Sequence, residues 1–209
     1  MGLPKNKSAR VCSPENALQP ALEVIAAGGT VACPTETYYG LCAAYDNALA
    51  LERLFNLKGR EKGKPFPLIS GSIEALAVLE LETDPVSFDL MKRFWPGPLT
   101  LILKTGRKLP DHVAKNGRLA IRVPGPSFAL ELAKASQKIL TATSANPSGL
   151  PPADDAAQVL AYFGNKLDLI VDGGRTAGKL PSTIVEVRGG KPVVLREGAI
   201  SAKNLVSSL

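Results

Sequence analysis

Four short segments of this chain carry cations, hydroxyls and amides in patterns suited to binding an anionic ligand. They are Pro34-Thr35-Glu36-Thr37, Lys58-Gly59-Arg60, Ser144-Ala145-Asn146-Pro147-Ser148-Gly149, and Ser182-Thr183-Ile184-Val185 with Arg196 one predicted hairpin later. Arginine and lysine are the usual partners of phosphate oxygens, and loop N–H groups beside short hydroxyls can cradle an anion. None of the segments is a Walker-type phosphate loop, and no Gly-x-Gly-x-x-Gly run occurs. The residue types therefore predict a polar, positively charged binding site without identifying its ligand.

Each segment taken alone also has a purely structural interpretation. Lys58 and Arg60 follow a predicted helix, whose C-terminal end favours cations in any protein. Arg196 could form only a surface ion pair with Glu197. Arg122 is more informative, because an arginine inside a predicted apolar strand must be paired or must face a polar cavity. Of these two environments we favour the cavity.

The composition allows a single domain with a large aliphatic core. The chain has 209 residues, of which 45% are hydrophobic and only 5% aromatic. Its formal net charge is +6, and its isoelectric point is about 9.3. This moderate excess favours anionic partners such as nucleotides or RNA, although many proteins carry it without binding nucleic acid.

The scarce cysteines and histidine exclude several classes of site. Cys12, Cys33 and Cys42 are odd in number and include no Cys-x-x-Cys pair, so neither a disulfide framework nor a zinc site is predicted. We interpret Cys33 and Cys42 as structural thiols rather than nucleophiles. His112 is the only histidine, which excludes a Ser-His-Asp triad, and we expect it in a surface loop. Reduced thiols, the lack of a secretory signal at the N-terminus and the lack of a long apolar run favour a cytoplasmic location.

Helix and strand signals interleave along the chain without strict alternation, which predicts an α/β domain with a mixed sheet flanked by helices. We expect a flexible tail over residues 1–12 and one domain over residues 13–209. Helices are predicted at residues 14–27, about 48–57, 126–138 and 154–163, with shorter ones beginning near residues 72, 84 and 201. Strands are predicted at residues 30–33, 41–45, 67–70, 99–104, 119–123, 139–142, 167–171, 183–187 and 192–195.

Taken together, these segments resemble the YrdC-like threonylcarbamoyl-AMP synthase family. The resemblance runs from about Pro14 to Ala199, and the chain length resembles the short, single-domain form. It implies a twisted sheet around a large basic cavity. Five motifs occur in the family's order: Pro-Thr-Glu-Thr-x-Tyr-Gly, Lys-Gly-Arg, Trp-Pro-Gly-Pro-Leu-Thr (Trp95 to Thr100), Ser-Ala-Asn-x-Ser-Gly and Ser-Thr-Ile-Val.

The resemblance also implies a reaction and a set of residues. The family makes threonylcarbamoyl-adenylate and pyrophosphate from L-threonine, bicarbonate and ATP. The adenylate then supplies the modified adenosine at position 37 of tRNA through a partner transferase complex. We expect ATP as substrate with Mg²⁺ on its phosphates, no metal site on the protein and no general base. The residues carried over are Thr37, Arg122, Ser144 and Ser182 for threonine, Lys58, Arg60, Arg118, Asn146 and Arg196 for the nucleotide, and Lys58 and Arg60 for catalysis.

Two other functions are compatible with the sequence. One is a non-catalytic module that binds double-stranded RNA or tRNA, although few aromatic residues are available for base stacking. The other is a paralogue that acts on a different carbamate. Three departures from the family pattern leave room for that paralogue. Ile69 or Ser70 stands where many members have a histidine that touches threonine, Arg118 replaces a usual threonine, and Asp154 or a neighbour replaces a serine or threonine near ATP.

Overall fold

The strands of this protein form two mixed sheets packed against α-helices. The structure, a computed structural model, describes residues 9–61, 63–177 and 180–206. Its helices are α1 (Pro14–Ala26), α2 (Ala48–Lys58), α3 (Pro85–Phe94), α4 (Phe128–Ser136), α5 (Ala156–Phe163) and α6 (Ala202–Val206), with 3-10 helices at Glu74–Leu79 and Gly164–Lys166. Its strands are β1 (Arg10–Cys12), β2 (Val31–Pro34), β3 (Tyr39–Cys42), β4 (Leu68–Ile69), β5 (Leu81–Glu82), β6 (Leu99–Thr105), β7 (Arg118–Arg122), β8 (Leu140–Thr141), β9 (Thr143–Ser144), β10 (Leu169–Val171), β11 (Thr183–Arg188) and β12 (Lys191–Arg196).

A short stretch of chain passes directly from one sheet to the other. The first has the order β1-β10-β2-β3-β9, and the second has the order β12-β11-β6-β7-β4-β8 with β5 paired to β6. Parallel and antiparallel pairs occur in both sheets. Residues 140–144 cross between them, because β8 pairs with β4 while β9 pairs with β3. The α/β class with twisted mixed sheets is confirmed, and the strands divide into two sheets where we expected one.

Part of the expected N-terminal tail belongs to a sheet. Residues 10–12 form β1, which runs parallel to β10 and pairs Arg10 with Leu169 and Cys12 with Val171. The partner strand lies far along the chain, and no local signal in three residues reveals such a pairing. The rest of the predicted tail, residues 1–8, lies outside the described residues, and the extent of the single domain stays a prediction.

The C-terminal end of helix α2 positions the side chains of Lys58 and Arg60. The Asn47 side chain accepts a 3.0 Å hydrogen bond from the backbone N–H of Ala50 and so caps the N-terminus of the helix. At the other end Gly59 adopts the left-handed conformation, with φ of 57°, which ends the helix. The chain therefore turns between Lys58 and Arg60, and both side chains lie near β9.

The core is aliphatic, as the composition predicts. One buried cluster fills the space around α2 and the second sheet and includes Leu51, Leu68 and Leu101. A second cluster lies beneath α1 and α4 and includes Ile25 and Leu132. Among the residues that the structure describes, no helix has the length and apolar character needed to cross a membrane.

Candidate functional site

A cavity of about 500 Å³ lies between the two sheets. This volume is within the range of small-molecule and cofactor sites. The first sheet and its loops contribute Thr35, Thr37, Tyr39, Gly40, Thr143 and Ser144 to the wall. The second sheet and its loops contribute Leu68, Ile69, Thr100, Ala120, Arg122, Ser182, Ile184 and Arg196. The wall is completed by Tyr38, Arg60, Pro65, Pro67, Ala142, Pro152 and Pro181.

Most residues predicted for the site meet at this cavity. Six of them line its wall: Thr37, Arg60, Arg122, Ser144, Ser182 and Arg196. Two more, Lys58 and Asn146, lie directly behind the wall, where they contact each other. These residues come from segments up to about 160 residues apart in the chain, and the fold brings their side chains together.

Arg122 is both paired and exposed to the cavity. Its Nη1 donates a 2.7 Å hydrogen bond to Oε1 of Glu36, and the two side chains are only 7% and 15% exposed. This ion pair connects β7 of the second sheet with the loop after β2 of the first. Burial lowers the pKa of Arg122, and the Glu36 carboxylate partly opposes that shift. Glu36 balances the charge of Arg122, and the nearby charge of Arg196 leaves an excess of positive charge in the cavity.

Arg196 approaches the cavity from the end of β12. Its Nη2 donates to the carbonyl oxygen of Ser182 at 2.8 Å and to the Ser182 hydroxyl at 3.2 Å. The same hydroxyl lies 2.8 Å from Oγ1 of Thr100. Burial lowers the pKa of Arg196, and the nearby charge of Arg122 lowers it further. Two guanidinium groups that destabilise each other's charge form a good site for an anion.

Lys58 is a buried cation that organises the loop after β9. Its Nζ donates to the carbonyl oxygens of Ser144 and Asn146 at 2.5 and 2.7 Å. A longer contact of 3.4 Å reaches Oδ1 of Asn146, which also accepts a 2.6 Å hydrogen bond from the Ser144 hydroxyl. Burial lowers the pKa of Lys58 to about 7, and the charge of Arg60 adds to this shift. Lys58 therefore shapes the cavity wall from behind.

Arg60 secures the chain that follows α2. Its Nε and Nη2 donate to the carbonyl oxygens of Lys64 and Pro65 at 2.7 and 2.8 Å. The guanidinium carbon lies 5.0 Å from the centre of the Phe66 ring, at cation–π distance. Burial lowers the pKa of Arg60. These contacts fix the Arg60 side chain, which also lines the cavity.

Hydroxyls hold the turn between β2 and β3 in place. Oγ1 of Thr35 donates to the carbonyl oxygen of Tyr38 at 2.7 Å, accepts from the N–H of Thr37 at 3.0 Å, and lies 2.9 Å from Oγ1 of Thr37. Such side-chain bonds stabilise a tight turn. The turn directs the flanking threonines into the cavity wall and Glu36 onto Arg122.

Arg118, which we expected in the nucleotide set, does not line this cavity in the structure. It begins β7, whereas Arg122 ends it, so the two lie about 13 Å apart along the strand. Arg118 forms an ion pair with Glu186, which Arg188 also contacts. Arg118 lines a different, smaller depression of about 340 Å³. Strand alternation indicates the face of a side chain, but it does not indicate which end of the strand meets a ligand.

Several residues that line or touch the cavity were not among the predicted site residues. Glu36 and Thr100 stand inside two of the quoted motifs, so those motifs were the available signal. Ile69 rather than Ser70 lines the wall, and the Ser70 hydroxyl instead donates to the carbonyl oxygen of Ser72. Thr143 reaches the cavity as a neighbour of Ser144 on β9.

The remaining candidate groups are structural. The thiols of Cys33 and Cys42 are buried with their sulfur atoms 3.7 Å apart, and that contact together with burial raises the pKa of Cys33. His112 is half-buried, and its ring packs edge-on against Phe55 at 5.4 Å. No group of three or more histidine, cysteine, aspartate or glutamate residues suited to a metal ion occurs in the described ranges.

The cavity as a whole favours an anion. Among its described lining residues three are arginines and none is acidic, and Glu36 adjoins the wall through Arg122. Burial lowers the pKa of all three guanidinium groups and of Lys58 behind them. A negatively charged ligand would relieve that unfavourable burial of positive charge.

Comparison with known proteins agrees with this picture. Threonylcarbamoyl-AMP synthase of Pyrococcus abyssi is 38% identical over 179 residues, which are 85% of this chain and 53% of that protein. The synthase of Thiobacillus denitrificans is 38% identical over 176 residues, covering 83% of this chain and 93% of that protein. A crystal structure of P. abyssi Sua5 complexed with L-threonine superimposes with a TM-score of 0.85 and 35% identity, covering 92% of this chain and 57% of that one.

The chain thus spans about half the length of the P. abyssi relative and most of the T. denitrificans relative. The sequence profile of the Sua5/YciO/YrdC family, described as "Telomere recombination", matches residues 23–198. That match covers most of the chain, and it confirms the resemblance inferred from the five motifs. This chain belongs to the Sua5/YciO/YrdC family.

Proposed function

We propose that this protein is a nucleotidyltransferase that makes L-threonylcarbamoyl-AMP and pyrophosphate from L-threonine, bicarbonate and ATP. Relatives that carry the name threonylcarbamoyl-AMP synthase support the proposal. The observation that carries it is the cavity, where Arg60, Arg122 and Arg196 converge in a wall otherwise made of hydroxyls and apolar groups. Such a wall suits a ligand set with one carboxylate and several phosphate oxygens.

The amino-acid end of the proposed substrate pair lies near Arg122. Its guanidinium is buried, and its described bond to Glu36 uses Nη1. A guanidinium has five N–H donors, so others would bind the threonine carboxylate. Hydroxyls of Thr37, Ser144 and Ser182 line the same cavity and can bond the polar atoms of threonine. The P. abyssi Sua5 structure contains L-threonine, which supports this choice of amino acid.

The nucleotide end is assigned to Arg60 and Arg196. Both line the cavity and both have a pKa lowered by burial, so phosphate oxygens are suitable partners. Lys58 and Asn146 would support them from behind by shaping the loop after β9. The described wall offers no acidic cluster for a metal, so Mg²⁺ would arrive on the phosphates as part of the substrate.

The proposed chemistry has two steps. The threonine amine first combines with bicarbonate to give a carbamate and water. A carbamate oxygen then attacks the α-phosphorus of ATP, and the bond to the β,γ-diphosphate breaks to release pyrophosphate. The described wall offers no histidine or free carboxylate as a general base, so the protein would act by positioning the reactants and by stabilising the charge that develops on the leaving pyrophosphate.

The fate of the product extends the proposal. We propose that the adenylate supplies the N6-threonylcarbamoyl group at position 37 of tRNA through a partner transferase complex. A net charge of +6 is compatible with direct contact to tRNA. The competing hypothesis, a non-catalytic RNA-binding module, predicts affinity for RNA that falls steeply with salt and no turnover of ATP.

Pyrophosphate release tests the proposed function. We expect purified protein with ATP and Mg²⁺ to release pyrophosphate only when both L-threonine and bicarbonate are present. L-Serine serves as the control for side-chain selectivity, and bicarbonate-depleted buffer serves as the control for the first step. A protein that releases no pyrophosphate with threonine but binds RNA in a salt-sensitive manner would overturn the proposal.

Lys58 gives a second prediction, on proton uptake. Because burial lowers its pKa to about 7, Lys58 is only partly protonated near neutral pH. Phosphates bound in front of the wall would raise that pKa, so we expect ATP binding near neutral pH to be accompanied by net proton uptake. Isothermal titration calorimetry in buffers of different ionisation enthalpy measures this uptake. Lys58→Met should abolish the uptake, and equal uptake by wild type and variant would contradict the prediction.

A further inference from the structure

A short chain of polar groups runs along the cavity wall and begins at Thr100. The hydroxyl oxygens of Thr100 and Ser182 lie 2.8 Å apart, and the Ser182 oxygen also accepts a 3.2 Å hydrogen bond from Nη2 of Arg196. All three residues line the cavity. Thr100 is 3% exposed and Ser182 is 9% exposed, so Ser182 is the more open member of the hydroxyl pair.

The hydroxyl pair has more hydrogens than it can use internally. Each hydroxyl carries one hydrogen, and only one of the two can be donated within the pair. Within the described ranges, neither oxygen has a bond to a further acceptor. One hydrogen is therefore left for a ligand, and the more exposed Ser182 is the better placed to present it. In that arrangement Thr100 donates to Ser182, and Ser182 donates into the cavity.

Backbone bonds of the Trp95–Thr100 motif fix the position of Thr100 on two sides. The N–H of Gly97 donates to the carbonyl oxygen of Val123 at 2.9 Å. The carbonyl oxygen of Pro98 accepts from the N–H of Thr183, also at 2.9 Å. These bonds tie the motif to the C-terminal end of β7 and to the start of β11, where two site residues lie. The backbone thus holds the Thr100 hydroxyl beside Ser182 before any ligand binds.

The charge around Ser182 indicates what its hydrogen can meet. Arg196 contacts the Ser182 hydroxyl directly, and Arg122 is near enough for its charge to lower the pKa of Arg196. The described wall has no acidic residue at this place. An acceptor beside two guanidinium groups is favoured when it carries negative charge, as a carboxylate or phosphate oxygen does.

We propose that Thr100 is a positioning residue that orients the Ser182 hydroxyl as a hydrogen-bond donor to an anionic oxygen of the substrate. It acts through Ser182 rather than by its own contact with the substrate. The inference rests on the proposed function and deepens it, because Ser182 belongs to the threonine-binding set. Without the Thr100 hydroxyl, Ser182 is free to rotate, and the cost of fixing its direction falls on substrate binding.

Two replacements of Thr100 separate its hydroxyl from the rest of the side chain. Thr100→Val keeps the shape and removes the hydroxyl, whereas Thr100→Ser keeps the hydroxyl and removes the methyl group. With L-threonine as the ligand in calorimetry, we expect Thr100→Val to weaken binding about tenfold. Thr100→Ser should stay within about twofold of wild type. If Thr100→Ser loses as much affinity as Thr100→Val, the hydroxyl is not the cause and the inference is overturned.

Thr105→Val is the matched control. Thr105 lies at the other end of the same strand, β6, and is also buried, with its hydroxyl donating to the carbonyl oxygen of Leu79. The variant loses a buried hydrogen bond but should keep its affinity for L-threonine within about twofold of wild type. A loss as large as that of Thr100→Val would indicate general loosening of β6 and would overturn the inference.

A double-mutant cycle shows whether Thr100 acts through Ser182. Ser182→Ala removes the group that Thr100 orients, so in that background Thr100→Val should change the affinity by less than about twofold. An unchanged tenfold effect would mean that Thr100 contributes by packing or by direct contact, and the inference would fall.

The wild type separates this inference from the proposed function. If it binds no L-threonine, both are overturned. If it binds L-threonine and the variants follow the expected pattern but no pyrophosphate is released, the synthase function is overturned while the role of Thr100 is supported. Threonine-dependent pyrophosphate release with wild-type affinity in Thr100→Val overturns the inference alone.

Discussion

Replacing Arg122 with glutamine is expected to lower kcat/KM for L-threonine in pyrophosphate release by at least about 100-fold. The guanidinium lines the cavity and is only 7% exposed, so a carboxylate bound there is attracted through little water. Glutamine keeps part of the shape and removes the charge. Steady-state pyrophosphate release at varied L-threonine measures the effect, which should appear mainly as a higher KM.

The same substitution also threatens stability, because it leaves Glu36 as a buried charge without its partner. We expect a loss of about 3 kcal/mol in the free energy of unfolding, measured by urea titration of Trp95 fluorescence. The double variant Glu36→Gln/Arg122→Gln carries no unpaired charge and should recover much of that loss. It should remain inactive, which separates the loss of binding from the loss of fold.

Arg118→Gln is the matched control, since Arg118 lies on the same strand but borders a different depression. Its partner Glu186 keeps a second cation, Arg188, so the variant leaves no isolated buried charge. We expect activity within about twofold of wild type. Equal losses in Arg118→Gln and Arg122→Gln would contradict the placement of the threonine carboxylate at Arg122.

Replacing Lys58 with methionine should nearly abolish activity with little change in stability. Methionine has a similar length but cannot bond the carbonyl oxygens of Ser144 and Asn146, so the loop behind the cavity wall loses its anchor. Two effects on the free energy of unfolding oppose each other. The carbonyl oxygens that lose their donor destabilise the fold, whereas removal of a buried ammonium group, whose pKa burial lowers to about 7, stabilises it.

We therefore expect the free energy of unfolding of Lys58→Met to lie within about 1 kcal/mol of wild type, while kcat/KM for ATP falls at least about 100-fold. Lys64→Met is the control, because that side chain forms only an exposed ion pair with Glu61. It should change neither quantity beyond experimental scatter. A stable and fully active Lys58→Met would show that the Ser144–Asn146 loop does not depend on this lysine.

Local signals predicted most of the elements because they act over a few neighbouring residues. Asn47 and Gly59 mark the ends of α2 through a side-chain cap and a left-handed turn, and both can be read from residue type. Gly189 and Gly190 lie between β11 and β12, as the hairpin signal predicts. Strand β1 was missed, since its pairing with β10 joins residues about 160 positions apart.

The residue types and their order were enough to identify the family and all three arginines of the described cavity wall, because charge and hydrogen-bonding capacity belong to the side chains themselves. Tertiary structure alone decided which of them meet. It placed Arg122 and not Arg118 at the cavity, put Lys58 behind the wall, and set Glu36 against Arg122 across two sheets. These relations depend on distances between segments remote in sequence, and such distances arise only when the two sheets pack around a shared interior.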